Sequence, residues 1–401
     1  MEKVKVAFLL NISDNWLGGL NYYRNLFSSI IENKDLAIEP VIIIPKNVDM
    51  RLFEGYPDVT IIKTGFLTRW HFLWFARKIL CKLSNRDILF EKFLKLNNIS
   101  IISHVQAELI YMKLPIAAWI PDFQHKYLPG LFSYQELIGR DTSFRNLAKA
   151  YDTVILSSNN AKNDFDKFFP EFKDKAEVLQ FAVTVDTNLN SNGFSYLKEK
   201  YEIDSQFFYL PNQYWIHKNH KVVLEALTLL KQMGKKVLVI SSGDTEDYRN
   251  KEYFLLLKQY IKEHNLSENY YMLGKIPYND VQILAQNCLA FINPSLFEGW
   301  STTVEEAKTM GKRILLSNIP VHLEQNPQGG EFFSPNNPKE LADKLWHIWN
   351  KKNEDVFLQI DLEEKNKMRK REFSETYKYI LENTIKRFEE KMQKEKIAKE
   401  N

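Results

Sequence analysis

Two glutamates define the chemistry open to this chain. Glu298 and Glu306 are separated by seven residues in Ser295-Leu296-Phe297-Glu298-Gly299-Trp300-Ser301-Thr302-Thr303-Val304-Glu305-Glu306. Leu289 to Pro294, just before them, reads as a buried strand that stops at proline. Val304 to Met310, just after them, reads as a short helix that stops at Gly311. Glu298 therefore stands at the carboxyl end of a strand, and Glu306 in the first turn of the next helix. Ligands of open α/β sheets bind outside the carboxyl ends of the strands. The N–H groups from Ser301 to Val304 face the same place, and a helix N-terminus attracts phosphate. Carboxylates accept hydrogen bonds from sugar hydroxyls, so the constellation points to a ligand that carries both sugar and phosphate. A plainer reading stands beside it. Thr302-x-x-Glu305 and Thr303-x-x-Glu306 each fit a capping box, which would make the second glutamate a helix cap.

Other polar groups occupy comparable places. Gly18-Gly19 lie between the first strand and a helix expected from Leu20 to Ile31. Paired glycines let backbone approach a ligand closely, and they also make plain tight turns. His125 follows the strand Ile116–Ile120 through Pro121-Asp122-Phe123-Gln124; it is either a structural histidine or a ligand contact. Pro211 to His220 follow another strand and contain Gln213 and Lys218. A cation at a helix start is mildly unfavourable unless it meets an anion. Gly243, in Ser241-Ser242-Gly243-Asp244, and Ile276, in Gly274-Lys275-Ile276-Pro277, sit on loops at the same sheet edge. Turns without function would look alike there.

The elements that must position these groups are short apolar runs alternating with helical stretches, the pattern of parallel sheets with crossover helices. The first half gives strands at Val4–Leu10, Val41–Ile44, Val59–Ile62, Ile99–Ile102, Ile116–Ile120 and Thr153–Leu156. The second gives Phe207–Leu210, Val237–Ile240, Tyr270–Leu273, Ala290–Asn293 and Ile314–Leu316. The expectation is an α/β protein of two doubly wound domains facing a cleft. The boundaries are residues 1–185, a polar linker at 186–203, a second domain at 204–365, and a terminal helix at 366–401. In that helix Tyr377, Leu381, Ile385, Phe388 and Met392 recur at roughly helical spacing. Thr68 to Lys82 mixes Trp70, Trp74 and other aromatics with Arg77, Lys78 and Lys82. It reads either as a helix resting on an anionic membrane or as one packed into the first domain.

The whole chain bounds these readings. At 401 residues it is long enough for two cores. A formal net charge of +3 is too small to argue for nucleic acid. Cys81 and Cys288 lie far apart in apolar surroundings without zinc-like spacing, which suits reduced thiols in a cytoplasmic protein. Val4 to Leu10 reads as a first strand and not a signal peptide. No apolar run reaches the length of a membrane span, so the expected location is cytoplasmic, with any membrane contact peripheral.

Phe291 to Gly311, with Asn318 and Pro320 after it, resembles the signature of retaining GT-B glycosyltransferases of family 4. The resemblance extends to Tyr209–Leu227 and, more loosely, to Val4–Ile31 and Trp119–Phe169. It implies a GT-B fold whose C-terminal helix crosses back to the N-terminal domain. It also implies a hexosyltransferase that moves sugar from a nucleoside diphosphate to a hydroxyl of a glycan or lipid-linked glycan, in O-antigen or capsule synthesis. By the same resemblance Glu298 holds donor sugar hydroxyls, Glu306 the ribose, and Lys218 the diphosphate. His125 touches the sugar. Gly18, Gly19 and Gly243 lie near the donor phosphates, and backbone near Ile276 reads the base. Gly299, Trp300, Ser301, Thr302 and Thr303 form the turn and amide cluster around the phosphate. Asp14 and Trp16 become acceptor contacts, and no metal is expected. Gln213 departs from the pattern by standing where many relatives place an arginine. That departure keeps alternatives open: a GT-B nucleotide-sugar epimerase, or a catalytically silent sugar-nucleotide-binding partner.

Overall fold

The computed structural model describes residues 3–10, 17–185, 193–351 and 361–400. The chain divides into two compact units. The first comprises Met1–Phe123, Tyr134–Ala182 and Lys367–Asn401; the second comprises Gln124–Ser133 and Val183–Asn366.

The first unit is built on a seven-stranded sheet of β1 (Val4–Leu9), β2 (Ile38–Pro45), β3 (Thr60–Thr64), β4 (Ile101–Val105), β5 (Ile116–Ile120), β6 (Thr153–Leu156) and β7 (Ala176–Val178). Its order is β3-β2-β1-β4-β5-β6-β7, every pair parallel. A parallel sheet covered on both faces must be apolar on both. Accordingly Val6 and Phe8 of β1 join one core with Ile42, Trp119 and Ile155, while Ala7 joins the opposite core with Ile43, Ala118 and Leu156. Burying a side chain such as Phe8 is worth ~1.5–3 kcal/mol. The helix Leu362–Glu400 delivers Phe373, Tyr377, Ile380 and Leu381 to the first of these cores.

The second unit carries β8 (Phe208–Leu210), β9 (Val239–Ser241), β10 (Tyr270–Met272), β11 (Phe291–Asn293), β12 (Ile314–Ser317) and β13 (Gly330–Phe333). The order is β10-β9-β8-β11-β12-β13, again parallel throughout. Strand order reverses between β8 and β11, so the loops that follow these two strands flank the topological switch point, where such sheets bind ligands.

Several local expectations need correction. Gly18 and Gly19 lie within the first turn of a helix that begins at Leu17, not in a turn before it. First-turn N–H groups have no intrahelical partner in any case, so glycine costs little there. The stretch expected to be linker contains the helix Gly193–Lys200, held by buried Leu197. One buried residue is too little to produce a periodic signal. The edge strands β7 and β13 were not expected, because Ala176-Glu177-Val178 and Gly330-Glu331-Phe332-Phe333 are short and partly polar. The helix after Glu298 begins at Thr302, two residues earlier than its apolar pattern suggests, because Ser301 caps it. Asp14, Trp16 and residues 186–192 of the expected linker lie outside the described residues.

Candidate donor-binding site

The second unit gathers its charged groups at the switch point. Lys218 ends a single tight turn, Ile216–Lys218, in the loop after β8. The next residue, Asn219, takes a left-handed backbone (φ 53), which asparagine tolerates better than most residues. Its side-chain amide donates to the carbonyls of Pro294 and Pro335 at 3.1 and 2.9 Å. Leu296 N–H donates to the His217 carbonyl at 2.7 Å. The loops after β8 and β11 are thereby tied together, and Lys218 meets Glu298 with Nζ 2.6 Å from Oε1. Ser295 Oγ donates to the same carboxylate oxygen at 2.6 Å.

Burial alone would push the Glu298 carboxyl up. Lys218, through its charge and its hydrogen bond, outweighs burial and holds the carboxyl below its ordinary value. His217 is driven by burial, then by Lys218, down to about 3, so it is neutral at pH 7. His322 is lowered by burial to about 4, against the pull of Glu298. Its Nδ1 lies 2.9 Å from the Ser317 carbonyl. A carbonyl only accepts, so Nδ1 carries the proton and Nε2 the lone pair; that lone pair meets no donor among the described residues.

A side-chain chain links the strand ends to the following helix. Thr303 Oγ1 donates to Asn212 Oδ1 at 3.1 Å, and Asn212 Nδ2 to Asn293 Oδ1 at 3.2 Å. Asn293 Nδ2 donates to Ser301 Oγ at 2.7 Å. The amide cluster is narrower than expected. Ser301 N–H is already donated to Gln325 Oε1 at 3.1 Å, and Val304 N–H reaches Ser301 Oγ at 3.4 Å. The amides of Thr302 and Thr303 are the ones left for an anion. Of the two adjacent glutamates, Glu305 turns inward, where its Oε1 accepts from Gln325 and Lys308, both at 2.9 Å. Glu306 is half-buried on the same helix, and its charge helps raise the phenol of Tyr209, whose hydroxyl lies 2.6 Å from Ser242 Oγ. Of the two motif carboxylates, Glu298 is thus the one paired with Lys218. Gly299 and Trp300 are half-buried in the turn between them, with Lys308 Nζ 5.9 Å from the Trp300 ring centre.

Gln213 is half-buried, and its carbonyl accepts from Trp215 N–H and His220 Nε2 at 2.8 and 3.0 Å. Its side-chain amide makes no hydrogen bond among the described residues. Gly243 must be glycine because a Cβ would stand 2.5 Å from the Asn212 carbonyl oxygen. Its N–H donates to the Gly274 carbonyl at 2.9 Å, which joins the loops after β9 and β10. Ile276 is partly buried against the β8–β11 core beyond that junction. His125 is buried in the short helix Gln124–Tyr127, which belongs to the second unit. Tyr127 of that helix stacks on Phe297 at 5.6 Å, beside Glu298. Gly18 and Gly19 lie in the first unit, and a Cβ added at Gly18 would meet no atom of the described residues within 4 Å.

Sequence reading missed Arg249. It follows β9 and is nearly buried. Its Nε lies 3.2 Å from Asp247 Oδ1, Nη1 donates to Gln124 Oε1 at 3.0 Å, and Nη2 is 3.4 Å from His217 Nδ1. The guanidinium lies over Trp215 and Phe132, at 5.1 and 5.4 Å. Both Arg249 and Lys218 lower the His217 pKa, so two cations flank one neutral imidazole. His217, His322, Asn212, Asn293 and Gln325 were also missed. Position was their signal in sequence: Asn293 ends β11, His217 and Asn212 follow β8, and His322 and Gln325 follow β12. Among the described residues no three His, Cys, Asp or Glu side chains converge as a metal site would require.

Residues 197–375 match the family described as glycosyl transferases group 1. The chain is 24% identical over 201 residues to the O-antigen chain mannosyltransferase RfbU of Salmonella typhimurium, covering 49% of this chain and 50% of that protein. It is 29% identical over 131 residues to a Campylobacter jejuni enzyme, N,N'-diacetylbacillosaminyl-diphospho-undecaprenol alpha-1,3-N-acetylgalactosaminyltransferase, covering 32% of this chain and 31% of that one. The chain thus spans half or less of these curated relatives. Among solved structures, Anabaena Alr3699/HepE in complex with UDP and glucose superposes with a TM-score of 0.68 at 16% identity, covering 94% of this chain and 99% of that one. Two doubly wound parallel sheets, a returning C-terminal helix and these neighbours together identify the fold of this chain as GT-B.

Proposed function

We propose that this chain is a retaining glycosyltransferase. It moves a hexose from a nucleoside diphosphate to a hydroxyl of a glycan or lipid-linked glycan, in the synthesis of a cell-surface polysaccharide such as O-antigen or capsule. The observation that carries this reading is the Lys218–Glu298 pair at the switch point of the second unit, next to the open amides of Thr302 and Thr303. The diphosphate takes Lys218 and these amides; Glu298 turns to the sugar hydroxyls. Glu306 takes the ribose, and His125 touches the sugar from the helix that packs beside Phe297. Gln213 carries no charge, and Arg249 supplies the second cation in its stead. As the bond from the anomeric carbon to the phosphate oxygen breaks, its electron pair stays with the nucleoside diphosphate. The acceptor oxygen bonds to the same face of that carbon, and its proton passes to a donor phosphate oxygen. The protein's share is positioning and charge stabilisation, and the two cations with the helix amides do this without a metal.

The test is turnover with UDP-glucose and GDP-mannose, the first chosen because the Anabaena structure holds UDP and glucose. Release of nucleoside diphosphate that persists in excess chelator, with the donor's anomeric configuration kept in the product, supports the reading. Binding without turnover on any donor favours the silent partner. Turnover lost on chelation and restored by magnesium or manganese refutes the charge assignment. Free interconversion of the donor sugar without transfer identifies an epimerase.

A further inference from the structure

We propose that the helix Phe72–Ser84 of the first unit, with Trp70 before it, is a docking face for the surface of an anionic lipid bilayer. The helix has two unlike sides. Its inner side is fixed: Arg77 pairs with Asp87 at 2.6 Å, and Cys81 is buried. Its start is fixed too. His71 Nδ1 accepts from Leu73 N–H, and Gly65 lies so close beneath the imidazole that a Cβ there would stand 2.3 Å from it.

The outer side is apolar and open. Trp70 is 68% exposed, Phe72 70%, Ile79 60% and Leu83 77%. Phe72, Phe75, Ile79 and Leu83 follow one another at helical spacing, so they form one stripe. Single exposed apolar residues are ordinary, whereas a continuous stripe marks an interaction site. Trp70 adds an independent sign. It takes a left-handed backbone (φ 68), which is costly for a bulky residue. Among the described residues its ring meets its own neighbours, Trp74 and Phe75 at 6.1 and 5.7 Å and the Arg69 guanidinium. A strained backbone that presents a tryptophan to solvent gains nothing for the fold, and such strain is characteristic of binding segments.

Charge selects the occupant. The helix bears Arg77, Lys78 and Lys82 and no acidic residue. Lys78 and Lys82 are exposed beside the stripe, and Arg69 lies over the Trp70 ring at 5.0 Å. Two copies of this face would bring lysines together with no carboxylate to pair them. An anionic headgroup layer accepts the cations, while the rings and aliphatic chains enter the boundary below. At 13 residues the helix lies in the interface and does not cross it, since a span needs ~20. The face belongs to the first unit and uses none of the donor-site groups, so it stands or falls apart from the proposed transfer.

Flotation with vesicles of phosphatidylcholine, with and without phosphatidylglycerol, tests it on the full chain. The wild type floats with the anionic vesicles, and less so as salt rises. The triple variant Phe72→Ser, Ile79→Ser, Leu83→Ser loses binding at least ~10-fold, as the loss of three inserted apolar groups requires. Lys78→Glu with Lys82→Glu abolishes the preference for anionic lipid. All three serine positions are exposed, so the melting temperature stays at the wild-type value and reports folding. Trp70→Ser alone weakens flotation and serves if the triple variant misfolds. Equal recovery of the wild type in the soluble fraction with and without vesicles overturns the proposal. So does flotation of the triple variant equal to wild type. A wild-type dimer that the triple variant converts to monomer, without vesicle binding, overturns it in favour of self-association.

Discussion

Two buried ion pairs with a 2.6 Å separation can be compared, Arg77–Asp87 in the first unit and Lys218–Glu298 in the second. By distance and burial they are nearly the same. Their surroundings differ. Asp87 also caps its helix through Phe90 N–H, and Arg77 also donates to the Phe66 carbonyl and lies over the Phe90 ring at 4.2 Å. Both ions there are engaged from several sides by the protein itself. Lys218–Glu298 shares its switch point with the amides of Thr302 and Thr303, His322 Nε2 and the side-chain amide of Gln213, for which no hydrogen-bond partner stands among the described residues. A buried pair is weak evidence of stability and, on this comparison, no evidence of function by itself. Unspent hydrogen-bonding capacity at a switch point is what separates the two.

The comparison breaks most sharply if each pair loses one partner. Lys218→Ala and Asp87→Ala should each cost ~3–5 kcal/mol, because each strands a buried charge. Denaturant unfolding measures this. Only Lys218→Ala should also cut turnover of the folded protein, by ~10- to 100-fold for a charge-assisted contact of ~1.5–3 kcal/mol. Replacing both partners with apolar residues, Arg77→Met with Asp87→Leu, should recover stability and turnover together. Lys218→Met with Glu298→Met should recover stability alone. Recovery of turnover there would return this pair to the purely structural class.

Glu306→Ala sharpens the division of labour within the second unit. Calorimetric titration with the cognate nucleoside diphosphate should show a loss of ~1.5–3 kcal/mol, that of a hydrogen bond to a charged acceptor. The 2′-deoxynucleotide should lose much less on the same substitution. Equal losses would reduce Glu306 to a helix cap.

Acid separates the units by a smaller step. In the second, His217 is lowered to about 3, and His220 and His322 to about 4. In the first, His104 is lowered to about 3. Burial is the leading cause each time. Their folded pKa lies below the unfolded value near 6.5, so the unfolded chain takes up protons first and stability falls as pH drops below that value. The loss approaches ~1.4 kcal/mol per histidine per pH unit until the folded pKa is reached. Hydrogen exchange at pH 7 and pH 5 should show the second unit losing more protection than the first. A uniform loss would mean that the two units unfold as one.

The smallest expected effect is a gain. Gln213→Arg should tighten nucleoside diphosphate binding several-fold, ~1 kcal/mol, and the gain should grow when Arg249→Gln is also present. No change in either background would mean that Gln213 does not face the diphosphate.

Legibility followed locality. The strands β8 and β11, and the places of Lys218 and Glu298 just beyond them, were readable because each lies in an unbroken run with its own apolar pattern. Arg249 was not, since its meaning depends on Gln124, His217 and Trp215 arriving from two other loops. Glu305 and Glu306 both fitted a capping box in sequence, and only the structure shows Ser301 as the cap and Glu305 engaged by Gln325 and Lys308. For the helix Phe72–Ser84 the mixture of aromatics and cations allowed both a buried and a membrane-facing reading. Only Arg77 and Cys81 showed which side faces inward.

The returning helix Leu362–Glu400 bears on how the chain comes to be folded at all. Phe373 and Tyr377 complete a core whose other members, Phe8, Tyr22 and Trp119, are translated first. The second unit draws on residues up to Asn366 only. In order of synthesis the residues of the second unit are therefore complete while the earlier half still lacks its last helix. During that interval aromatic surface around Trp119 stands open, and chaperones act on such surface. A stop codon just after Asn366 would leave it open permanently.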